Sequence, residues 1–345
     1  MSKRALGLMV ASTLAIACAA GEEAAESPSP AAPPATEAHA GEAPAGEVGA
    51  CVAQPACREP SGPGVVREYA RHRGRDQIFA EGEPQWVIGN FVIRTTEGDL
   101  KVADEVDVFV ERACSGQWER LGRTRTSAGS SPPVEGVADD RGRVFFQVPK
   151  SAALAIGRHR VRMVVVADQA FADLWIDVVP RGAPIVVADV DGTLTESEAT
   201  YAELRDTLPV ARRDAAQALH TLVRKGHHVV YVSSRPEWLT DKTREFLDRF
   251  GFPKGVVHTT STAAGASNAD AQTFKTTELQ RLAARGAIRW AFGNNVIDSE
   301  AFESVKIQPI SQRVFVGATD KHGGRRIESF TELAPTLDAV GATCR

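Results

Sequence analysis

The sequence predicts an α/β protein: a parallel sheet with helices on both faces, preceded by a β-sandwich and an N-terminal tether. Three observations predict it. After Pro180, short apolar runs alternate with amphipathic helical stretches. Between about Gly64 and Pro180 the apolar runs have period-two character and turn-rich segments between them. One run, IVVA at 185–188, ends in DVDGT, so Asp189 and Asp191 leave the end of a buried strand together. Two like charges there repel each other and lose solvation, a cost that points to function.

The chain has 345 residues, enough for two ordinary domains, and 43% of them are hydrophobic and 24% charged, as in globular proteins. A formal net charge of -4 gives no broad basic field, so charge does not imply nucleic acid as a partner. The N-terminus has Lys3 and Arg4, then an apolar run from Ala5 to Ala17 and small residues around Cys18. This is the anatomy of a secretion signal, and the run is too short to span a bilayer comfortably. The segment LAIAC at 14–18 resembles a bacterial lipobox, which implies an acylated Cys18 and a membrane tether; the alternative is simple secretion, and either reading implies an exported, periplasmic location. The expected divisions are a signal peptide at 1–18, a disordered linker at 19–63, a sandwich at 64–180 and an α/β domain at 181–345.

The linker is mostly Ala, Glu, Pro, Gly and Ser, with too little apolar surface to order it. Cys51, Cys57, Cys114 and Cys344 make an even number in an oxidising compartment and point to one or two disulfides, with three pairings open. In the sandwich, runs at 86–93, 106–110, 144–148, 161–166 and 174–179 are separated by TEGD, AGSSPP and DDRGR. Short antiparallel strands at this spacing suggest an immunoglobulin-like outline. Arg160 and Arg162 alternate with Val161 and Met163, the pattern of a strand with one wet face.

In the second half, strands are expected at 185–188, 228–232, 255–258, 289–292 and 313–316, with helices near 210–225, 237–250, 275–285 and 299–305. Pro236 suits a first helical turn; Leu239, Phe246, Leu247 and Phe250 recur at helical spacing until Gly251 and Pro253 stop it.

Ligands of open parallel sheets bind beyond the carboxyl ends of the strands. The first strand delivers Asp189, Asp191, Gly192 and Thr193; the second delivers Ser233, Ser234 and Arg235; Lys275 is expected to open a helix; a later strand delivers Gly293, Asn294 and Asp298. Acids beside a hydroxyl, a lysine and a third acid describe a site for a phosphoryl group and Mg²⁺, whose charge lets two carboxylates stay ionised. Asp189 can attack phosphorus, and Asp191 can protonate the leaving oxygen and then activate water. Ser233 can donate to a phosphate oxygen, Lys275 can offset charge, and Gly192 permits a tight turn that brings backbone amides to the anion. Arg235 either grips a lipid phosphate or pairs with an acid at the surface.

DxDGT, the hydroxyl after the second strand, the lone lysine and the glycine-led acidic motif resemble the haloacid dehalogenase superfamily of aspartate-nucleophile phosphatases. VVADVDGTLTESE, GHHVVYVSSRPEWLTDKTREFL, FGFPKGVVHTT, TFKTTEL and FGNNVIDSEAF look like the lipin-type (LNS2-type) phosphatidate phosphatase domain. They also resemble the related domain of the large membrane-associated phosphatidylinositol transfer proteins. The resemblance runs over roughly 183–335 and implies Asp189 as nucleophile, Asp191 as acid/base, and Ser233 and Lys275 as phosphate binders. It further implies Mg²⁺ held by the Asp189 carboxylate, the Asp191 carbonyl and Asp298, with Asn294 where many superfamily members have an acid. In the transfer-protein relatives the first motif is typically degraded; here both acids are present, which favours an enzyme.

About 40 residues separate Asp191 from Ser233, and a similar number separate Ser233 from Lys275, too few for a cap domain once a helix and a strand are subtracted. The site is therefore expected to be open, which suits phosphate on a membrane phospholipid. A calcium loop is excluded: its twelfth position would be Thr200, and a strand precedes the motif instead of a helix. The sequence thus predicts a Mg²⁺-dependent phosphatase acting on phosphatidate or a related phospholipid. The alternatives are a non-catalytic phospholipid- or protein-binding module and a phosphatase of soluble phosphomonoesters.

Overall fold

The computed structural model describes Cys57, residues 62–96 and residues 98–343. The signal segment with Cys18, most of the linker, Cys51 and Cys344 lie outside the described residues.

The first half contains β1 (Arg73–Arg75), β2 (Gln77–Ala80), β3 (Trp86–Asn90), β4 (Val92–Thr95), β5 (Gly98–Lys101), β6 (Glu105–Glu111), β7 (Trp118–Arg125), β8 (Arg143–Gln147), β9 (Gly157–Val165) and β10 (Phe171–Val179). They form a sheet ordered β1-β3-β8, a second ordered β2-β10-β9-β6-β7, and the hairpin β4-β5. Phe79, Val108, Val110, Val161, Met163 and Leu174 pack between the sheets. The expected run at 86–93 divides at Phe91 into two strands of different sheets.

Three expectations are refined here. The sandwich is not wholly antiparallel: β2 runs parallel to β10, which the long excursion between them in sequence allows. The second correction concerns the wet face, because Arg160 is 7% and Arg162 1% exposed. Arg162 stacks 3.8 Å from the Phe171 ring centre and 5.1 Å from Trp118, and both arginines bond Asp173, so burial is offset by paired charge and aromatic faces. Third, of the pairings left open for the cysteines, the described one is Cys57–Cys114.

The second half begins with β11 (Pro184–Ala188), followed by α1 (Tyr201–Asp206), α2 (Ala215–Arg224), β12 (His228–Val232), α3 (Thr240–Arg249), β13 (Val256–His258), α4 (Asn268–Arg285), β14 (Ala287–Gly293), α5 (Val296–Ser304), β15 (Arg313–Val316), β16 (Arg325–Ile327) and α6 (Ala334–Asp338). The sheet order is β13-β12-β11-β14-β15-β16, and every pairing is parallel. β11 is apolar throughout because both of its faces are covered. Val186 and Ala188 meet α2 and α3 through Leu219, Leu222, Phe246 and Leu247, whereas Ile185 and Val187 meet α4 and α5 through Leu279, Leu282 and Phe302.

The second of these layers also takes in Ile78 of β2 and Val179 of β10, so the sandwich and the parallel sheet share one apolar core. α4 starts at Asn268, so Lys275 lies inside this 18-residue helix and does not open it. The expected helix from 237 is a 3-10 turn, Glu237–Leu239, running into α3. The interval between Asp191 and Ser233 holds only α1, α2, β12 and connecting loops.

Candidate active site

β11 passes between β12 and β14 at the point where the chain's crossovers change direction, which opens a crevice at the carboxyl ends of the strands. Asp189 follows β11 directly and is 5% exposed. Its amide donates to the Phe292 carbonyl of β14, which sets the backbone. Its two carboxylate oxygens have different partners: Lys275 Nζ donates to Oδ1 at 2.6 Å and Thr193 Oγ1 to Oδ2 at 2.9 Å. Lys275, itself 4% exposed, also donates to Asp298 Oδ1 at 2.6 Å. The second Asp298 oxygen accepts from the Asn294 amide at 3.0 Å.

The charge balance follows from this geometry. Burial pushes the Asp189 carboxyl above its usual range, and Lys275 only partly offsets that while Asp298 adds to it. Burial works against the charged lysine too, yet the carboxylates of Asp189 and Asp298 outweigh it and hold Lys275 above its ordinary value.

Asp191 faces elsewhere. Arg235 donates to both of its carboxylate oxygens, Nε to Oδ2 at 2.9 Å and Nη2 to Oδ1 at 2.7 Å, and Ser233 Oγ donates to Oδ2 at 3.3 Å. Arg235 is 1% exposed and its remaining arm donates to Thr243 Oγ1 of α3 at 2.9 Å. Of the two roles open to Arg235, the structure places it on an acid, Asp191, though buried within the site and not at the surface as expected.

Gly192 has φ +72°, and a Cβ there would lie 2.1 Å from Asn294 Nδ2, so both conformation and close approach require glycine. Its own amide donates to Thr195 Oγ1 at 2.8 Å, so any amide this turn offers to an anion comes from its neighbours. Thr193, expected to bind substrate, is fully buried and orients Asp189. Ser234 lines the cleft, and its carbonyl accepts from Tyr201 at 3.0 Å.

The open cleft over these groups measures about 590 Å³ and is walled by Glu198, Tyr201, Ser267, Asn268 and Val296 as well as by Asp189, Asp191, Ser234, Arg235 and Lys275. Glu198 and Tyr201 were not anticipated. Glu198 lies on the loop after DVDGT and Tyr201 opens α1 at its end; the loop's polar residues carry no periodic signal, and a short bridge between Thr195 and Ala211 shapes it. A larger cavity of about 740 Å³ lies at the seam with the sandwich, against Arg158, Trp175 and Arg244; Arg158 pairs with Asp177 and Arg244 with Asp76, and none of the residues lining it lines the cleft over Asp189.

The residues present fit a divalent cation in part. Asp189 and Asp298 both present an oxygen to the same point, now taken by the Lys275 ammonium, and Mg²⁺ commonly uses one or two carboxylates with waters and phosphate oxygens. No group of three His, Cys, Asp or Glu side chains converges among the described residues. The Asp191 carboxylate is turned to Arg235, which leaves its backbone carbonyl as the third ligand that the family resemblance implies.

Comparison with known proteins agrees with this architecture in two places. Residues 186–317 match the family described as PITM 1-3, LNS2 domain, and residues 70–178 match PITM 1-3, beta-sandwich domain. The membrane-associated phosphatidylinositol transfer protein 1 of Rattus norvegicus is 31% identical over 189 residues, 54% of this chain and 14% of that protein. The protein retinal degeneration B of Drosophila melanogaster is 27% identical over 189 residues, again 54% of this chain and 14% of that protein. This chain therefore spans only a small part of the length of these relatives. Among solved structures, a class C acid phosphatase from Bacillus anthracis aligns at 16% identity over 35% of this chain and 54% of that one, with a TM-score of 0.26, too slight a likeness to argue from. The α/β half of the chain thus matches an LNS2 domain, and the sandwich ahead of it matches a domain of the same group of proteins.

Proposed function

We propose that this protein is a Mg²⁺-dependent phosphomonoester hydrolase of the haloacid dehalogenase type, acting through an aspartyl-phosphate on phosphatidate or a related phospholipid. The observation that carries the reading is Asp189: a buried carboxylate at a strand end, with Lys275 and Thr193 fixing one oxygen each. In the first step an Asp189 oxygen attacks phosphorus, the bond to the lipid oxygen breaks, and Asp191 supplies the proton that oxygen takes up. In the second, Asp191 removes a proton from water, the resulting hydroxide attacks phosphorus, and inorganic phosphate leaves as Asp189 is restored.

Lys275 offsets the charge between Asp189 and the phosphoryl oxygens. Ser233 supplies a hydroxyl at the same mouth once it releases Asp191. Asp189, Asp298 and the Asp191 carbonyl would hold Mg²⁺, which supplies Lewis-acid stabilisation of the phosphoryl oxygens. The open cleft suits a phosphate that projects from a membrane. In this reading acylation of Cys18 tethers the exported chain to the periplasmic side of a bacterial membrane, and the relatives' membrane association supports a phospholipid partner.

One observation favours a second reading. With both Asp191 oxygens on Arg235, the acid/base is committed to an ion pair, as suits a module that binds a phospholipid without turnover. The test compares phosphate release by the wild type and Asp189→Asn on phosphatidate vesicles and on a soluble aryl phosphate, with Mg²⁺ and with EDTA. Release by the wild type alone, dependent on Mg²⁺ and faster on vesicles, is the expected result. Vesicle binding without turnover selects the module, and preference for the aryl phosphate selects a soluble substrate.

A further inference from the structure

The β-sandwich presents charged side chains to the two loops that carry the phosphate side of the site. Arg75 of β1 donates through Nη1 to the Thr259 carbonyl at 2.6 Å and through Nη2 to Glu278 Oε1 at 2.9 Å. Glu278 lies three residues beyond Lys275 on α4, so the two side chains share a face of the helix one turn apart. Arg143 of β8 donates to Glu237 Oε2 at 2.7 Å and to the Ser261 carbonyl at 2.7 Å, and Asn90 of β3 also donates to Glu237. Glu237 opens the turn directly after Ser233, Ser234, Arg235 and Pro236. Thr260 joins the two loops, donating to the Arg235 carbonyl through its amide at 3.0 Å and its hydroxyl at 3.1 Å.

We infer that the sandwich is part of the site's scaffold: Arg75, acting through Glu278, and Arg143, acting through Glu237, are positioning residues that hold Lys275 and the Ser233–Arg235 loop in register with Asp189. The alternative is that these ion pairs only join the two halves. Their placement argues against it, since the groups they hold are the carbonyls and carboxylates of those two loops and of the lysine's helix. Glu278 is nearly enclosed, and Arg281 and His258 pack against the same carboxylate; His258 Nδ1 lies 3.0 Å away, near enough for charge pairing but not aligned as a hydrogen bond. Arg75 is its one partner from the sandwich among the bonds described.

The inference rests on the phosphatase reading for its kinetic arm and is independent of it for its structural arm. Arg75→Met, Arg75→Lys and, at the same seam but on Asp177 and the Gly255 carbonyl, Arg158→Met are compared with the wild type. Two quantities are followed: kcat and KM on the aryl phosphate with Mg²⁺, and amide hydrogen exchange over 259–285. Arg75→Met is expected to lower kcat about tenfold to a hundredfold with KM little changed, since a displacement near 1 Å costs that much. Exchange should quicken in the first half of α4 and in the 259–262 loop. Arg75→Lys should recover part of the rate, and Arg158→Met should keep kcat within about threefold of the wild type, because it touches neither loop.

Unchanged exchange over 259–278 in Arg75→Met, or an equal loss of kcat in Arg158→Met, would overturn the inference. If the wild type releases no phosphate, the phosphatase reading fails and the exchange comparison still decides the positioning. Glu278→Gln, which keeps the side chain's shape, serves in place of Arg75→Met should that variant not fold, with the same pattern expected.

Discussion

Lys275 meets two carboxylates at the same distance, 2.6 Å, and is the cation that faces both inside the fold. Removing one partner of such a buried group leaves uncompensated charge, at a cost on the order of 3–5 kcal/mol. Lys275→Met should therefore lower the urea midpoint by that equivalent in EDTA at pH 8. The loss should shrink at pH 5, because burial already raises the Asp189 carboxyl and protonation then neutralises it. Added Mg²⁺ should restore more stability to this variant than to the wild type, since it can occupy the same point between Asp189 and Asp298. A variant equally stable with and without Mg²⁺ would remove the metal assignment. Residue types in DxDGT, the second hydroxyl and the lone lysine were enough to gather Asp189, Lys275 and Asp298, with Ser233 beside Asp191. What they could not convey was direction. The turning of Asp191 to Arg235 depends on where α3 places Thr243, a tertiary relation with no local signature.

The elements that carry the site are held by charge as well as by packing, and α4 shows how. Burial would raise the Glu278 carboxyl, but Arg75, His258 and Arg281 outweigh it and hold it at about 2, against 4.5 when free. A depressed carboxylate stabilises the fold fully above its free value, and that contribution is lost as pH falls from 4.5 toward 2; here it amounts to roughly 3 kcal/mol. Denaturant unfolding at a series of pH values should accordingly show a stability slope in that window, flattened in Glu278→Gln. An identical slope in both proteins would place the acid sensitivity elsewhere. Apolar periodicity located β11, β12, β14 and β15 well because both faces of a parallel sheet are buried. It missed β7, WERLGRTR, whose polar pattern suits an edge strand, and β16, which has three residues and only one apolar position. It began the lysine's helix late, because the first turns of α4 are polar and exposed.

At the scale of the molecule, the sandwich and the parallel sheet are joined more closely than a change of sequence texture near Pro180 suggests. Period-two and alternating patterns report which face of an element is buried, not which neighbour covers it. The texture therefore gave no sign that Ile78 and Val179 pack with Val187, Val230 and Leu279. Nor did it show Asp76, fully buried, accepting from Trp175 within the sandwich and from Val257 and Arg244 across the seam. Separating the halves would expose that apolar layer and strand Asp76, Arg158 and Glu278 without some of their partners, each a loss of several kcal/mol. Neither half can then keep its stability once the other unfolds, so the two should unfold together. Scanning calorimetry of the oxidised chain should show one transition whose calorimetric and van't Hoff enthalpies agree. Arg244→Met, which withdraws a sandwich-facing charge from α3, should lower the midpoint of that single transition without splitting it. Two resolved transitions in the wild type would mean that the shared layer does not couple the halves, and the sandwich would then be a separate module that cannot hold Lys275 in place.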